Sequence, residues 1–241
     1  MSGHSKWATI KRKKAATDAK RGKIFTTIIK EITIAAREGG GDVDSNPRLR
    51  QAVSNAKSAN MPSDNITRAI KKGTGELPGV TYEEVSYEGY GPAGVAIFME
   101  CLTDNKQRTV AEIRHLISKY GGNLGENGSV SWMFDKKGQI TLKANGYEED
   151  VVFEAALEAG AEDFEAADNV FIVSTDSSEI MSVRDALDSQ GYEIESANID
   201  MVPKNLHNVE SDKEQSVITL LEALEDHDDI KAVYTNFDSV E

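Results

Sequence analysis

The sequence predicts an α+β protein: an N-terminal three-helix domain followed by two α+β domains, one ferredoxin-like and inserted into the other. Three observations predict it. Apolar residues recur at helical spacing up to Gly73. A β-α-β-β-α-β order runs from about Gln139 to Met201. An earlier β-β-α-β set lacks a second helix and a last strand, which a C-terminal helix–strand pair can supply.

From about Asp18 to Glu38, Ile24, Phe25, Ile28, Ile29, Ile32, Ala35 and Ala36 trace one helical face, and Gly39-Gly40-Gly41 stops it. Asn46 before Pro47 reads as an N-cap followed by proline at the first helical position, with Leu49, Ala52, Val53 and Ala56 as the next stripe. Ser63 reads as the cap of a third helix carrying Ile66, Ala69 and Ile70 and closed at Gly73. Thr74–Val80, with Gly75, Pro78 and Gly79, reads as a linker. Strand-like runs at Glu84–Glu88 and Gly94–Leu102 precede a helix from about Asp104 to Tyr120, ended by Gly121-Gly122. Ser129–Phe134 reads as a further strand.

The ferredoxin-like set is a strand near Gln139–Lys143, a helix near Glu148–Ala159, strands near Glu162–Ala166 and Val170–Thr175, a helix near Ser178–Gln190 and a strand near Glu193–Met201. Lys213–Glu225 then reads as helix and Ile230–Asn236 as extended chain. The expected domains are 1–75, 80–135 plus 204–241, and 136–203.

The 241 residues carry 27 Lys+Arg against 41 Asp+Glu, a net charge of -14. With 39% hydrophobic and 28% charged residues the chain has the balance of a soluble globular protein. Its most apolar run, Val95–Met99, is far too short for a bilayer, and no membrane partner is expected. No secretory signal pattern opens the chain, and Ser2 stands where N-myristoylation needs glycine. The one cysteine, Cys101, cannot form an internal disulfide, which fits a reducing cytoplasm.

A net -14 argues against a polyanionic partner until it is divided. Residues 1–72 hold 16 Lys/Arg and 6 Asp/Glu, a balance of +10, and the rest of the chain carries −24. A basic end on an acidic body is attracted to phosphate in one orientation only, the pattern of a nucleic-acid binder; a merely solvated basic face is the simpler alternative.

Motifs for catalysis are weak. Gly89-Tyr90-Gly91-Pro92-Ala93-Gly94 matches G-x-G-x-x-G, but Val95–Met99 continues as a strand where a dinucleotide site needs a helix, so a turn between strands is expected. No P-loop pattern is present. His4, His115, His207 and His227 are scattered and a single cysteine cannot build a thiolate cluster, so no metal is expected. His115 reads as a helix-surface or packing residue, and Cys101 as a small buried strand residue. The acidic cluster Glu222, Glu225, Asp226, Asp228 and Asp229 reads as a solvated helix end. No cofactor is expected, and no enzymatic activity.

The basic segment is the informative one. Lys6, Lys11, Arg12, Lys13, Lys14, Lys20, Arg21 and Lys23 are dense enough for phosphate binding through counterion release, with Arg48 and Arg50 supplementary. Trp7 either stacks on a base or ribose or plugs the helical bundle. Basic residues with one aromatic and no base-reading helix point to backbone or shape recognition. DNA and ribosomal RNA both present that phosphate.

Several segments carry a family resemblance: Gly3-His4-Ser5-Lys6-Trp7, Lys20-Arg21-Gly22-Lys23-Ile24-Phe25-Thr26, Gly39-Gly40-Gly41-Asp42 with Asn46-Pro47-Arg48-Leu49-Arg50, Asn60-Met61-Pro62 through Arg68-Ala69-Ile70, and Tyr87-Glu88-Gly89-Tyr90-Gly91-Pro92. Asp104-Asn105 with Arg108-Thr109, Gly128-Ser129-Val130 and Glu154–Ala161 extend it. In these the chain resembles the YebC/PmpR family, which also includes the mitochondrial translational activator of cytochrome oxidase subunit I. Val43, Ala93 and Gln107 depart from the common Pro, Gly and Asn, and none of the three removes a basic residue.

The resemblance implies a three-domain, non-enzymatic cytoplasmic protein of a family generally classed as DNA-binding transcriptional regulators. Its mitochondrial relatives point instead to translation, as an rRNA-binding activator on the ribosome. A monomer is expected, with protein partners meeting the acidic domains.

Overall fold

The structure, a computed structural model, describes Trp7, Ile10, residues 21–167 and residues 169–239, with Arg21 described in its backbone only. The α+β class holds. The described residues form two compact units, one of 132–206 together with Trp7, the other of Ile10, 21–131 and 207–239.

The larger unit opens with α1 (Arg21–Gly39), α2 (Pro47–Ser58) and α3 (Ser63–Gly73). Ile32, Ala35 and Ala36 of α1 pack with Leu49, Ala52, Val53 and Ala56 of α2 and with Ile66 and Ala69 of α3. Each large side chain so buried contributes roughly 1.5–3 kcal/mol, which holds helices too short to persist alone.

Asn46 joins the first two helices. Its Oδ1 accepts from Leu49 N at 3.1 Å, while its Nδ2 donates to the carbonyls of Ala35 and Gly40 at 2.8 Å each. One buried amide thus caps α2 and ties down the end of α1. At the third helix Pro62, not Ser63, takes the capping position without a side-chain cap bond, and Ser63 is the first helical residue. Gly73 brings α3 against α1 so closely that a Cβ there would lie 2.4 Å from the Thr33 carbonyl oxygen.

Next come β1 (Glu83–Tyr90), β2 (Ala96–Thr103), α4 (Lys106–Lys119) and β3 (Asn123–Leu124). Asn105 caps α4, accepting from Arg108 N at 3.0 Å. After the second unit the chain returns as β8 (His207–Val209), α7 (Ser211–Glu225), β9 (Ile230–Thr235) and β10 (Phe237–Ser239). The sheet order is β3-β1-β2-β9, so the C-terminal strand does complete the earlier set. Ala96, Ile97, Phe98, Met99, Cys101 and Leu102 are all buried. Both faces of β2 are therefore covered, which is why its sequence is a continuous apolar run rather than an alternation. The strands of the parallel pair β8–β10, three residues each, are too short to show a period in the sequence.

The expected strand at Ser129–Phe134 is absent from the larger sheet. Glu88 captures the backbone N–H groups of Gly128, Val130 and Ser131 at 2.7–2.8 Å, so they cannot join a ladder. The chain turns through Ser131–Met133 instead, and the next strand begins at Phe134.

The second unit runs β4 (Phe134–Lys143), α5 (Glu149–Ala159), β5 (Asp163–Ala167), β6 (Val170–Asp176), α6 (Ile180–Ser189) and β7 (Ile194–Pro203). Its antiparallel sheet has the order β5-β6-β4-β7, the ferredoxin-like arrangement inserted between halves of the larger unit. Ile140 and Leu142 of β4, Phe171 and Val173 of β6, and Val152, Ala156, Val183 and Leu187 of the helices form its core.

Candidate nucleic-acid interface

Helix α1 carries cations on one stripe along its length. Lys23, Lys30 and Arg37 recur every seven residues, which on an α-helix returns nearly to the same face. That stripe faces the rest of its own unit. Lys23 donates to the Glu225 carbonyl. Lys30, only 6% exposed, reaches the Leu102 and Asp228 carbonyls at 3.0 Å each and the Asp229 carboxylate at 2.8 Å. Arg37 donates to the Tyr82 carbonyl at 2.7 Å.

Asp229 is the centre of this contact. Its second oxygen accepts from Arg108 at 2.7 Å and from the Thr109 hydroxyl at 2.8 Å. Burial alone would raise its carboxyl, but hydrogen bonds from Lys30, Arg108 and Thr109 hold it well below the usual carboxylate range. The expectation of a solvated helix end therefore fails at Asp229, which is buried and paired.

Glu112, His227 and Asp229 place ligand atoms within 4.8 Å of one another. Two cations already hold the Asp229 carboxylate. His227 Nδ1 accepts from the Asp229 N–H at 3.1 Å, and His227 Nε2 lies 3.0 Å from Glu112. With Nδ1 an acceptor, the ring proton sits on Nε2 and faces Glu112. This donor set fits a hydrogen-bond hub better than an open metal site.

The supplementary arginines are also engaged within the unit. Arg48 pairs with Glu31 at 2.9 Å, with Glu38 at 2.7 Å and with Glu84. Glu31 meets Lys231 at 3.2 Å as well. Burial would raise the Glu31 carboxyl, but Lys231 and Arg48 lower it on balance. Arg50 donates to the Val43 and Asp44 carbonyls, bracing the turn before α2. Trp7 is 4% exposed. Lys6, Lys11, Arg12, Lys13, Lys14 and Lys20 lie outside the described residues, as does the side chain of Arg21.

Four cations that entered the charge count but not the predicted contacts are exposed: Lys57 at the end of α2, and Arg68, Lys71 and Lys72 on α3. The i, i+3, i+4 spacing of Arg68, Lys71 and Lys72 opposite Ile66 and Ala69 was the available signal.

The G-x-G-x-x-G match is a turn between antiparallel strands, as expected: β1 ends at Tyr90, β2 begins at Ala96, and no helix follows. Ala93 itself takes the left-handed conformation, at φ 59°. His115 is exposed on α4, and Cys101 is buried in β2, its thiol pushed up to about 12 chiefly by that burial. No helix among the described residues is long and apolar enough to cross a membrane.

Comparison with known proteins agrees across the whole length. Residues 5–76 match the TACO1/YebC protein N-terminal domain, and residues 82–237 match the TACO1/YebC second and third domain. A "Probable transcriptional regulatory protein" of Syntrophus aciditrophicus is 59% identical over 239 residues, covering 99% of this chain and 96% of that one. One of Geobacter sulfurreducens is 55% identical over 238 residues, with the same shares. A crystal structure of a conserved hypothetical protein from Aquifex aeolicus superposes with a TM-score of 0.88 at 46% identity, covering 95% of this chain and 94% of that one.

Proposed function

Because the chain belongs to the TACO1/YebC family, we propose that it is a non-enzymatic regulator of gene expression that binds DNA through its basic N-terminal region. The observation that carries this reading is the charge division, +10 over residues 1–72 against −24 over the remainder. The names of its relatives agree with a regulator of transcription.

The phosphate contacts are Lys6, Lys11, Arg12, Lys13, Lys14, Lys20 and Arg21. Lys23, Arg48 and Arg50, which the sequence grouped with them, serve internal contacts, and the burial of Trp7 favours packing over stacking. The functional division is a basic domain of residues 1–75, a discontinuous domain of 80–135 plus 204–241, and the domain 136–203. The acidic remainder turns away from phosphate and toward protein partners.

Titration of the full chain against a mixed-sequence DNA duplex tests this. If about six phosphates are engaged, log K falls with log salt at a slope of roughly −5. Charge reversal at Lys11–Lys14 weakens binding to every sequence alike, whereas a loss at one sequence only means base readout. A flat salt dependence overturns the electrostatic account. Co-sedimentation with ribosomal subunits after DNase treatment, without a DNA footprint, assigns the basic end to ribosomal RNA and the protein to translation.

A further inference from the structure

The cations of the helical region divide into two groups by what they touch. Lys23, Lys30, Arg37, Arg48 and Arg50 all donate to carbonyls or carboxylates of their own unit. Lys57, Arg68, Lys71 and Lys72 are exposed, and their side chains make no hydrogen bond or ion pair among the described residues. In the acidic remainder Lys106, Arg108, Lys137, Lys143, Lys204 and Lys231 each pair with a carboxylate, while the exposed Arg114, Lys136 and Lys213 stand apart from one another in sequence rather than on one helix face.

Three of the four share one helix face. Arg68, Lys71 and Lys72 stand at i, i+3 and i+4 on α3, with Cβ atoms of such neighbours about 5–6 Å apart. The opposite face carries Ile66 and Ala69 into the bundle, and Gly73 fixes that side against the α1 backbone. The cationic face is therefore directed outward by packing on a rigid element. Asp64 is the acid nearest in sequence on that face, one turn before Arg68, and the face keeps a balance of +2. Complementing the helix dipole accounts for Lys71 and Lys72 in the last turn but not for Arg68 one turn earlier. Arg68 adds a planar fork suited to two phosphate oxygens.

We propose that the α3 face of Arg68, Lys71 and Lys72 is a second contact surface for a phosphodiester backbone, separate from the lysine-rich segment before α1. This rests on the reading that the protein binds nucleic acid and names a further surface for that binding. The face recognises phosphate without sequence, so it adds affinity and salt dependence rather than selectivity.

The test uses the full chain and two variants, Arg68→Gln/Lys71→Gln/Lys72→Gln and Lys11→Gln/Arg12→Gln/Lys13→Gln/Lys14→Gln. Each is titrated by fluorescence anisotropy against a mixed-sequence 20-bp DNA duplex and a ribosomal RNA hairpin, across a salt series. On duplex DNA the α3 variant loses about 2.7 units of the log–log salt slope, three phosphates at about 0.9 each, and binds at least tenfold more weakly at 0.15 M salt. A similar loss on the hairpin alone assigns the surface to RNA. Unchanged affinity and slope on both probes, with the Lys11–Lys14 variant weakened, overturns the α3 surface and leaves the N-terminal reading standing. The reverse result upholds α3 and removes the N-terminal segment. No binding of the unaltered protein to either probe overturns both. The single variant Arg68→Gln, expected to lose about 0.9 of a slope unit, serves if the triple variant fails to match the parent's thermal melt.

Discussion

Lys30 of α1 and Asp229, 199 positions later, meet at 2.8 Å with both side chains 7% exposed. A buried ion pair is weak evidence of net stability, but losing Asp229 strands the Lys30 ammonium away from water, whereas losing Lys30 leaves the Asp229 carboxylate to Arg108 and Thr109. Asp229→Ala is expected to destabilise the protein by about 3 kcal/mol in urea unfolding, and Lys30→Ala by less. The double variant should cost clearly less than the two singles together, because it also removes the ammonium that Asp229→Ala strands. Additive losses would mean that the two side chains act independently.

The same carboxylate sets an acid limit. Asp229 is held well below its ordinary range when folded and returns to about 3.9 when unfolded. Between those values the unfolded state binds the extra proton, so stability falls as pH falls. The contribution is fully present above about pH 5 and is lost progressively below about pH 4. Asp229→Asn, though less stable at neutral pH, should lose stability less steeply in that acid range. Parallel curves for the two proteins would show that this carboxyl is not held low.

Arg48 separates structural from phosphate-binding cations. Its guanidinium is about a third exposed and already faces Glu31, Glu38 and Glu84. Arg48→Gln is expected to cost about 1 kcal/mol of stability, the range of solvent-screened pairs. Its nucleic-acid affinity should stay within about twofold of the parent, with the same salt slope. A slope lower by about one unit would instead place a phosphate at Arg48.

Much of the fold was legible because its determinants are local. The stripe of Ile32, Ala35 and Ala36 and the Asn46-Pro47 start are contained in consecutive residues. What was not legible depends on distant partners. A lysine in a basic helix reads the same whether its ammonium meets phosphate or a backbone carbonyl, and the acceptors of Lys23 and Lys30 lie 72 to 202 positions away. Asp229 read as one more surface acid until α1 and α4 closed over it with Lys30 and Arg108. The run Ser129–Phe134 reads as a strand, yet Trp132 is 64% exposed while Val130 and Phe134 are buried. The residue that decides that segment is Glu88, some 40 positions upstream.

Cys101 should be chemically silent in the folded protein. Its thiol is 1% exposed and pushed up to about 12, first by burial and then by the charges of Asp229 and Glu100. At pH 8 the thiolate that reacts with disulfide reagents is therefore scarcely populated. Labelling with an aromatic disulfide reagent is expected to require denaturant and to follow the unfolding transition. Stoichiometric reaction of the native protein within minutes would contradict the burial.

Glu88 offers the sharpest local test. Its carboxylate is 4% exposed and accepts from Gly128 N at 2.8 Å, Val130 N at 2.7 Å and Ser131 N at 2.8 Å. Burial would raise this carboxyl, but those three donors hold it below its ordinary value. Glu88→Gln keeps the size but replaces one acceptor oxygen with an amide that itself donates. At least one N–H then loses its partner, at a cost of about 1–3 kcal/mol. Hydrogen exchange separates this loss from general destabilisation. Amides of residues 128–131 should exchange much faster in the variant, while those of β2 change only by the global shift. Equal acceleration in both places would mean that Glu88 supports the whole sheet rather than shaping this loop.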